Sequence, residues 1–192
     1  MKHAFKEWAV ICQALAEGRQ SLILRKGGIA EKGDTFQPEH TRFWLYPTYF
    51  HEREKQEKGI KPEAAGLLKL VEADKPPAGK VRLTHFVEVP GVYQVQDLGV
   101  LLLLNSLHLW SEETIQQRFH YRRPGIYVLP ARVYQAAQPV ELPETPYYAG
   151  CKSWVELEKD LPTDGAKPVL DEGKFKDLLR KLDALLNPTA LA

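Results

Sequence analysis

Val81-Arg82-Leu83-Thr84-His85-Phe86-Val87-Glu88 carries the clearest period-two pattern in the chain, with Val81, Leu83, His85 and Val87 alternating with Arg82, Thr84, Phe86 and Glu88. Alternation with a period of two places successive side chains on opposite faces, which is the signature of a strand. The stretch is bounded by turn formers, Lys75-Pro76-Pro77-Ala78-Gly79 before it and Pro90-Gly91 after it. Val92 to Gln96 is read as resuming the strand beyond that turn. A sheet is therefore the base of the fold, and the rest of the chain is read outward from it.

Upstream, Phe43 to Phe50 is aromatic-rich and reads as a second strand, with Pro47 marking an edge position, a bulge or the strand's end. Ser21-Leu22-Ile23-Leu24-Arg25 reads as a short strand running into the turn Lys26-Gly27-Gly28. Phe5, Trp8, Ala9, Cys12, Leu15 and Ala16 fall at helical spacing, and Gly18 supplies a stop. Trp8, Val10 and Cys12 would also suit a strand. Between Glu52 and Asp74 the chain is charged with both signs, in keeping with a solvated and partly helical segment.

Downstream, Ser111 is a helix N-cap, with Glu112 and Glu113 where the helix dipole favours negative charge. Ile115 and Phe119 form the buried side of that helix, and Tyr121-Arg122-Arg123-Pro124-Gly125 breaks it. Ile126 to Tyr134 reads as a strong strand apart from Pro130, and Pro139 to Pro146 as extended chain. From Asp171 onward, Phe175, Leu178, Leu179, Leu182, Leu185 and Leu186 form one helical stripe closed by Asn187-Pro188.

The chain has 192 residues, 44% hydrophobic and 27% charged, which suits one packed domain rather than disorder. Lys+Arg 26 against Asp+Glu 25 gives a net charge of +1, so any basic surface must be local. Two cysteines, Cys12 and Cys151, are too few for a disulfide scaffold and suggest a reducing compartment. The N-terminal residues lack the apolar run of a signal peptide. Val100 to Leu104, the greasiest stretch, falls far short of the roughly 20 residues of a membrane span. The expectation is a soluble, cytoplasmic protein with no membrane partner.

No G-x-S-x-G elbow, G-x-x-x-x-G-K-[ST] loop, G-x-G-x-x-G fingerprint or H-E-x-x-H pair is present. The histidines His3, His40, His51, His85, His108 and His120 show no metal-ligand spacing, so neither a metal nor another cofactor is expected. Three segments stand out instead. Leu24-Arg25-Lys26-Gly27-Gly28-Ile29 brings two cations to paired glycines that allow close backbone approach, as an anion site or as an ordinary turn. Arg42-Phe43-Trp44-Leu45-Tyr46-Pro47-Thr48-Tyr49-Phe50-His51 packs more rings than one core face takes up. Its rings serve either as a stacking surface or as core. Tyr147-Tyr148-Ala149-Gly150-Cys151-Lys152-Ser153-Trp154 sets Cys151 beside a cation that favours thiolate, although a structural or ligand-contact cysteine is the preferred reading. Glu31, Asp34 and Glu39 with Lys26 offer a metal-dependent nuclease reading.

Lys6-Glu7-Trp8-Ala9, Leu24 to Ile29, Phe43 to Tyr49 and Gly150 to Trp154 together resemble an uncharacterised bacterial family, common in cyanobacteria. It is catalogued as domain of unknown function number eighteen hundred and two. The resemblance runs from about Lys6 to Leu170 and implies that the four segments converge on one site. The order of strands, with Leu109-Trp110 leading into a short helix, then Val128 to Tyr134 and Pro139-Val140-Glu141-Leu142, is similar to the ASCH, EVE and PUA-like small β-barrels. Those domains often bind RNA or modified bases.

The expected architecture is α+β, a curved and mostly antiparallel sheet or partly open, PUA-like barrel with flanking helices. Residues 1–170 form one domain, and 171–192 form an amphipathic helix docked on it. The expected function is a nucleic-acid-binding module, for RNA or a modified base, in a basic and aromatic cleft. Its candidate residues are Arg25, Lys26, Gly27, Gly28, Arg42, Tyr46, Tyr49, His51, Cys151, Lys152, Ser153 and Trp154. Arg25, Lys26 and Arg42 would meet phosphate, and Tyr49, His51 and Trp154 would stack. The alternatives are a metal-dependent nuclease, a Cys151-based hydrolase, or a protein-interaction module using the C-terminal helix. Whether the protein is an enzyme stays open at this stage.

Overall fold

His3–Trp8 forms strand β1, and Ala9–Ala16 continues directly as helix α1. The computed structural model describes residues 1–26, 40–49, 57–149 and 153–186. Helical spacing over Phe5 to Ala16 therefore holds only for the second half. The first half is strand because β1 lies between two partners, parallel to β3 (Arg42–Thr48) and antiparallel to β8 (Trp154–Glu156). Gly18 ends the helix as expected, at φ 67°, with its N–H donating to Leu15 O at 3.2 Å.

Among the described residues the large sheet runs β8-β1-β3-β4-β7-β9, with β4 at Lys80–Glu88, β7 at Arg132–Pro143 and β9 at Lys167–Pro168. Only β1 and β3 pair in parallel in it. A small sheet runs β2-β6-β5, built from Leu22–Arg25, Ile126–Pro130 and Tyr93–Val95. The alternating strand is β4, with a register shift between Leu83 and His85. The architecture is α+β, with a curved, mostly antiparallel sheet that does not close.

Two expectations change here. Val92 to Gln96 does not resume β4: its strand β5 pairs with β6 in the small sheet. Ile126 to Tyr134 is two strands, because the chain changes sheets at Ala131, whose N–H donates to Ser21 O at 2.8 Å. Pro130, with no N–H to give, ends β6 at that corner. The extended reading of Pro139 onward agrees with β7, which reaches Pro143.

The helices follow local chemistry. The segment before Asp74 holds a 3₁₀ turn at Pro62–Ala64 and helix α2 at Ala65–Ala73. Helix α3 spans Leu98–Leu102. Helix α4, Glu112–His120, starts at Ser111, whose Oγ accepts from Thr114 N–H. Helix α5 spans Pro146–Ala149, and α6 spans Glu172–Leu186 with Phe175 and Leu182 buried. No helix among the described residues is long and apolar enough to cross a membrane.

The large sheet is buried on both faces. Phe5, Phe43 and Leu45 point into the main core with α1, the small sheet and Leu182 of α6. Ala4, Trp44, Tyr46, Leu83 and Phe86 form a second core on the opposite face. This double burial explains the ring-rich strand: Phe43, Trp44 and Tyr46 are all taken up, alternately, by two cores.

Candidate functional site

β1 alternates, so Phe5 and Glu7 share the face that looks toward the small sheet. Phe5 lies opposite Trp154 in the β1–β8 register and opposite Leu45 in the β1–β3 register. Cross-strand neighbours on one face meet, and an aromatic group results. Trp154 stands edge-on to Phe5 and to Phe43, at 4.9 Å in each case. His40 approaches Trp154 edge-on at 5.3 Å and stacks on His3 at 3.4 Å.

Arg25, at the end of β2, reaches across from the small sheet into this group. Its guanidinium lies over the Phe5 ring at 4.7 Å, and its Nη2 donates to Ser153 Oγ at 2.5 Å. Burial holds the guanidinium below its ordinary pKa, and the Glu7 charge opposes that shift. Arg118, on α4, lies over Trp110 at 3.7 Å and over Trp8 at 5.9 Å. It too is lowered by burial, raised by Glu7 and lowered by Arg25. Glu7 therefore sits within electrostatic reach of two desolvated cations.

Glu7 is a buried carboxylate whose Oε1 accepts from Trp8 N–H at 2.8 Å. Among the described residues its Oε2 has no hydrogen-bond partner, and neither does the buried Trp154 Nε1. Among the described residues, then, one carboxylate lies within electrostatic reach of two buried guanidiniums. Desolvated charge of this kind is costly unless paired, so an anion placed beside these guanidiniums would be stabilised.

The candidate residues separate into three places. Arg25, Ser153 and Trp154 come together. Lys26 lies next to them but turns away, donating to the carbonyls of Phe119 and Gly125 at 2.7 Å and to that of Arg123. Arg42 and Tyr46 point to the opposite face of β3. Arg42 pairs with Glu88 at 3.0 Å and lies over Phe86 at 5.2 Å. Tyr46 is fully buried there, and burial together with Glu144 raises its phenol pKa. Tyr49 lines a separate cavity of about 60 Å³ with Cys12, Arg82 and His85. Burial, with Cys12 and Asp74 nearby, pushes its phenol up to about 12. Gly27, Gly28, His51, Cys151 and Lys152 lie outside the described residues, as do Glu31, Asp34 and Glu39 of the nuclease reading.

Glu7 and Arg118 escaped the reading of the sequence. Glu7 stood in the quoted Lys6-Glu7-Trp8-Ala9 segment, and the signal was a carboxylate on the apolar face of an alternating strand. Arg118 gave no signal, because a basic residue in the last turn of a helix is ordinary dipole chemistry. Among the described residues no group of three or more His, Cys, Asp or Glu is placed to hold a metal ion.

The chain matches the model of the family described as "Domain of unknown function (DUF1802)" over residues 4–181, and it belongs to that family. No curated protein matches it. Among solved structures it is similar to the crystal structure of ASCH from Zymomonas mobilis, at 14% identity over 93% of each chain and TM-score 0.43. Two point mutants of that Zymomonas mobilis protein are similar at 13% and 14% identity. They cover 93% of this chain and 94% and 96% of theirs, with TM-scores 0.42 and 0.41.

Proposed function

We propose that this DUF1802 member is a nucleic-acid-binding module that engages RNA, or a modified base, at the cluster of Glu7, Arg25, Arg118, Ser153 and Trp154. The observation that carries the reading is the charge imbalance there: two desolvated guanidiniums against one carboxylate. A phosphate would supply the missing negative charge. A nucleobase beside it presents N–H donors suited to Glu7 Oε2, acceptors suited to the Trp154 indole N–H, and a flat face suited to the ring group. Base stacking on such rings is sequence-tolerant, whereas hydrogen bonds to the base edge discriminate.

Arg25 has the two attributes that nucleic-acid contacts use most, a planar fork for phosphate and a face for stacking. Lysine would keep the charge and lose both. Arg25→Lys should therefore weaken binding of a labelled single-stranded RNA on the order of tenfold at low salt, because a bidentate, stacked contact is replaced by a point charge. The measurement is fluorescence anisotropy over a salt series. Wild-type protein that binds no RNA or DNA at low salt would remove the proposal.

A further inference from the structure

The chain after α4 forms a turn that the function so far does not use. His120, Tyr121, Arg122, Arg123 and Pro124 are all exposed, Tyr121 to 57%. We infer that this turn is a second contact surface for single-stranded nucleic acid, with Tyr121 as a stacking platform and Arg122 as a phosphate contact. The inference extends the reading of the Arg25 cluster and rests on it for the class of partner.

Four observations carry it. Tyr121 is a large ring left in solvent, and Arg122 lies over it at 5.2 Å, so a flat apolar surface is paired with a cation. That pairing suits a nucleotide, which is itself a flat ring tied to an anion. Arg122 holds φ 63°, the left-handed region that favours glycine, so the turn keeps an arginine where the backbone resists one. No carboxylate pairs with Arg122 among the described residues. A cation kept in an unfavourable conformation and left without a counter-ion is available to an outside anion.

The turn is also held firmly. Lys26 Nζ donates inward to the carbonyls of Phe119, Arg123 and Gly125, and Arg123 N–H donates to Tyr121 O at 2.9 Å. With the carbonyls tied inward, the exposed Tyr121 and Arg122 side chains are presented outward at little ordering cost. Finally, the turn is continuous with the cluster. Helix α4 carries Arg118 toward Glu7 and ends in the turn, while Arg25 and Lys26, adjacent in sequence, serve the cluster and the turn respectively.

The test uses the full chain and a labelled single-stranded RNA of mixed sequence, with Tyr121→Ala, Arg122→Gly and Arg25→Lys compared in anisotropy and thermal melts. Tyr121→Ala should weaken binding on the order of tenfold. Arg122→Gly should lower the slope of log K against log salt by about 0.7, the value for one phosphate contact on a single strand. Its melting temperature should stay the same or rise, because glycine accepts the left-handed conformation. Loss in the turn variants with Arg25→Lys unaffected upholds the turn and removes the cluster reading. Wild-type-like binding by both turn variants, with Arg25→Lys impaired, overturns this inference and leaves the cluster reading standing. Wild-type protein that binds no strand overturns both. Preference for phosphatidylserine vesicles over RNA, dependent on Tyr121, overturns it in favour of a membrane headgroup.

Discussion

Arg25 and Ser153, separated by 128 positions in sequence, meet with Arg25 Nη2 donating to Ser153 Oγ at 2.5 Å. The bond ties the end of β2 in the small sheet to the residue that enters β8 in the large one. Hydrogen bonds to a charged donor contribute about 1.5–3 kcal/mol. Arg25→Lys and Ser153→Ala should therefore be non-additive in urea unfolding, with a coupling of about 1–2 kcal/mol in a double-mutant cycle. Strict additivity would show that the two side chains do not stabilise the fold together.

Gly59 lies against the Trp8 ring so closely that an added Cβ would stand 2.5 Å from Trp8 Cζ3. Trp8 in turn stands edge-on to Trp110 at 4.8 Å, beneath Arg118. Gly59→Ala must push that ring aside, an overpacking cost of about 1–3 kcal/mol. Denaturant unfolding should register the loss, and the tryptophan emission spectrum should shift with it. An unchanged midpoint would mean that Trp8 has room to move.

Leu182 is fully buried in the main core, on the face of α6 that the leucine stripe predicts. Leu182→Ala should cost about 2–5 kcal/mol. The exposed Leu70 of α2, 53% accessible, supplies the control, since Leu70→Ala should shift the midpoint little. If Leu182→Ala unfolds at the wild-type midpoint, the helix is not core and its stripe is free for a partner.

His108 is 2% exposed, and burial, with Lys61 and Arg118 nearby, lowers its pKa from 6.5 to about 4. Below pH 6.5 the unfolded chain takes up a proton that the folded chain refuses, so stability falls as pH drops through that window and levels off near pH 4. The expected loss from this residue is on the order of 3 kcal/mol. His85, lowered to about 4 by burial, acts in the same direction. Urea midpoints measured at intervals through this window should show the decline, and His108→Gln should reduce it. A flat profile in the wild type would show that His108 protonates freely in the fold.

The parts of this fold that local chemistry decides were readable before the structure. β4 alternates on either side of its register shift between Leu83 and His85, and α4 begins at Ser111 with two acids in its first turn. β1 was harder, because Trp8, Val10 and Cys12 suit a strand while Phe5, Trp8, Ala9 and Cys12 fall at helical spacing. What makes it a strand is its place between β3 and β8, a relation between residues far apart. The split of Ile126 to Tyr134 into β6 and β7 likewise depends on which sheet each half joins. The ring-rich segment shows the same limit. Phe43 and Trp44 are plainly strand residues, yet nothing local says that both faces of that strand are covered.

The site divides in the same way. Arg25, Ser153 and Trp154 stood out by composition and do meet. Arg42 and Tyr46 share strand parity with Trp44 rather than with Phe43, so they face the second core. Lys26, next to Arg25, points the other way and fastens the end of α4. Glu7 and Arg118 join the cluster only because β1, β2 and α4 converge in space.

Tryptophan fluorescence titration with a single-stranded RNA tests the central claim most directly, because Trp154 lies in the proposed site and serves as its own reporter. A base stacked in the ring group should quench wild-type emission, and Trp154→Phe should lose most of that quenching while still binding. Binding that leaves Trp154 emission unchanged, or an identical quench in Trp154→Phe, would contradict it and place the nucleic acid elsewhere.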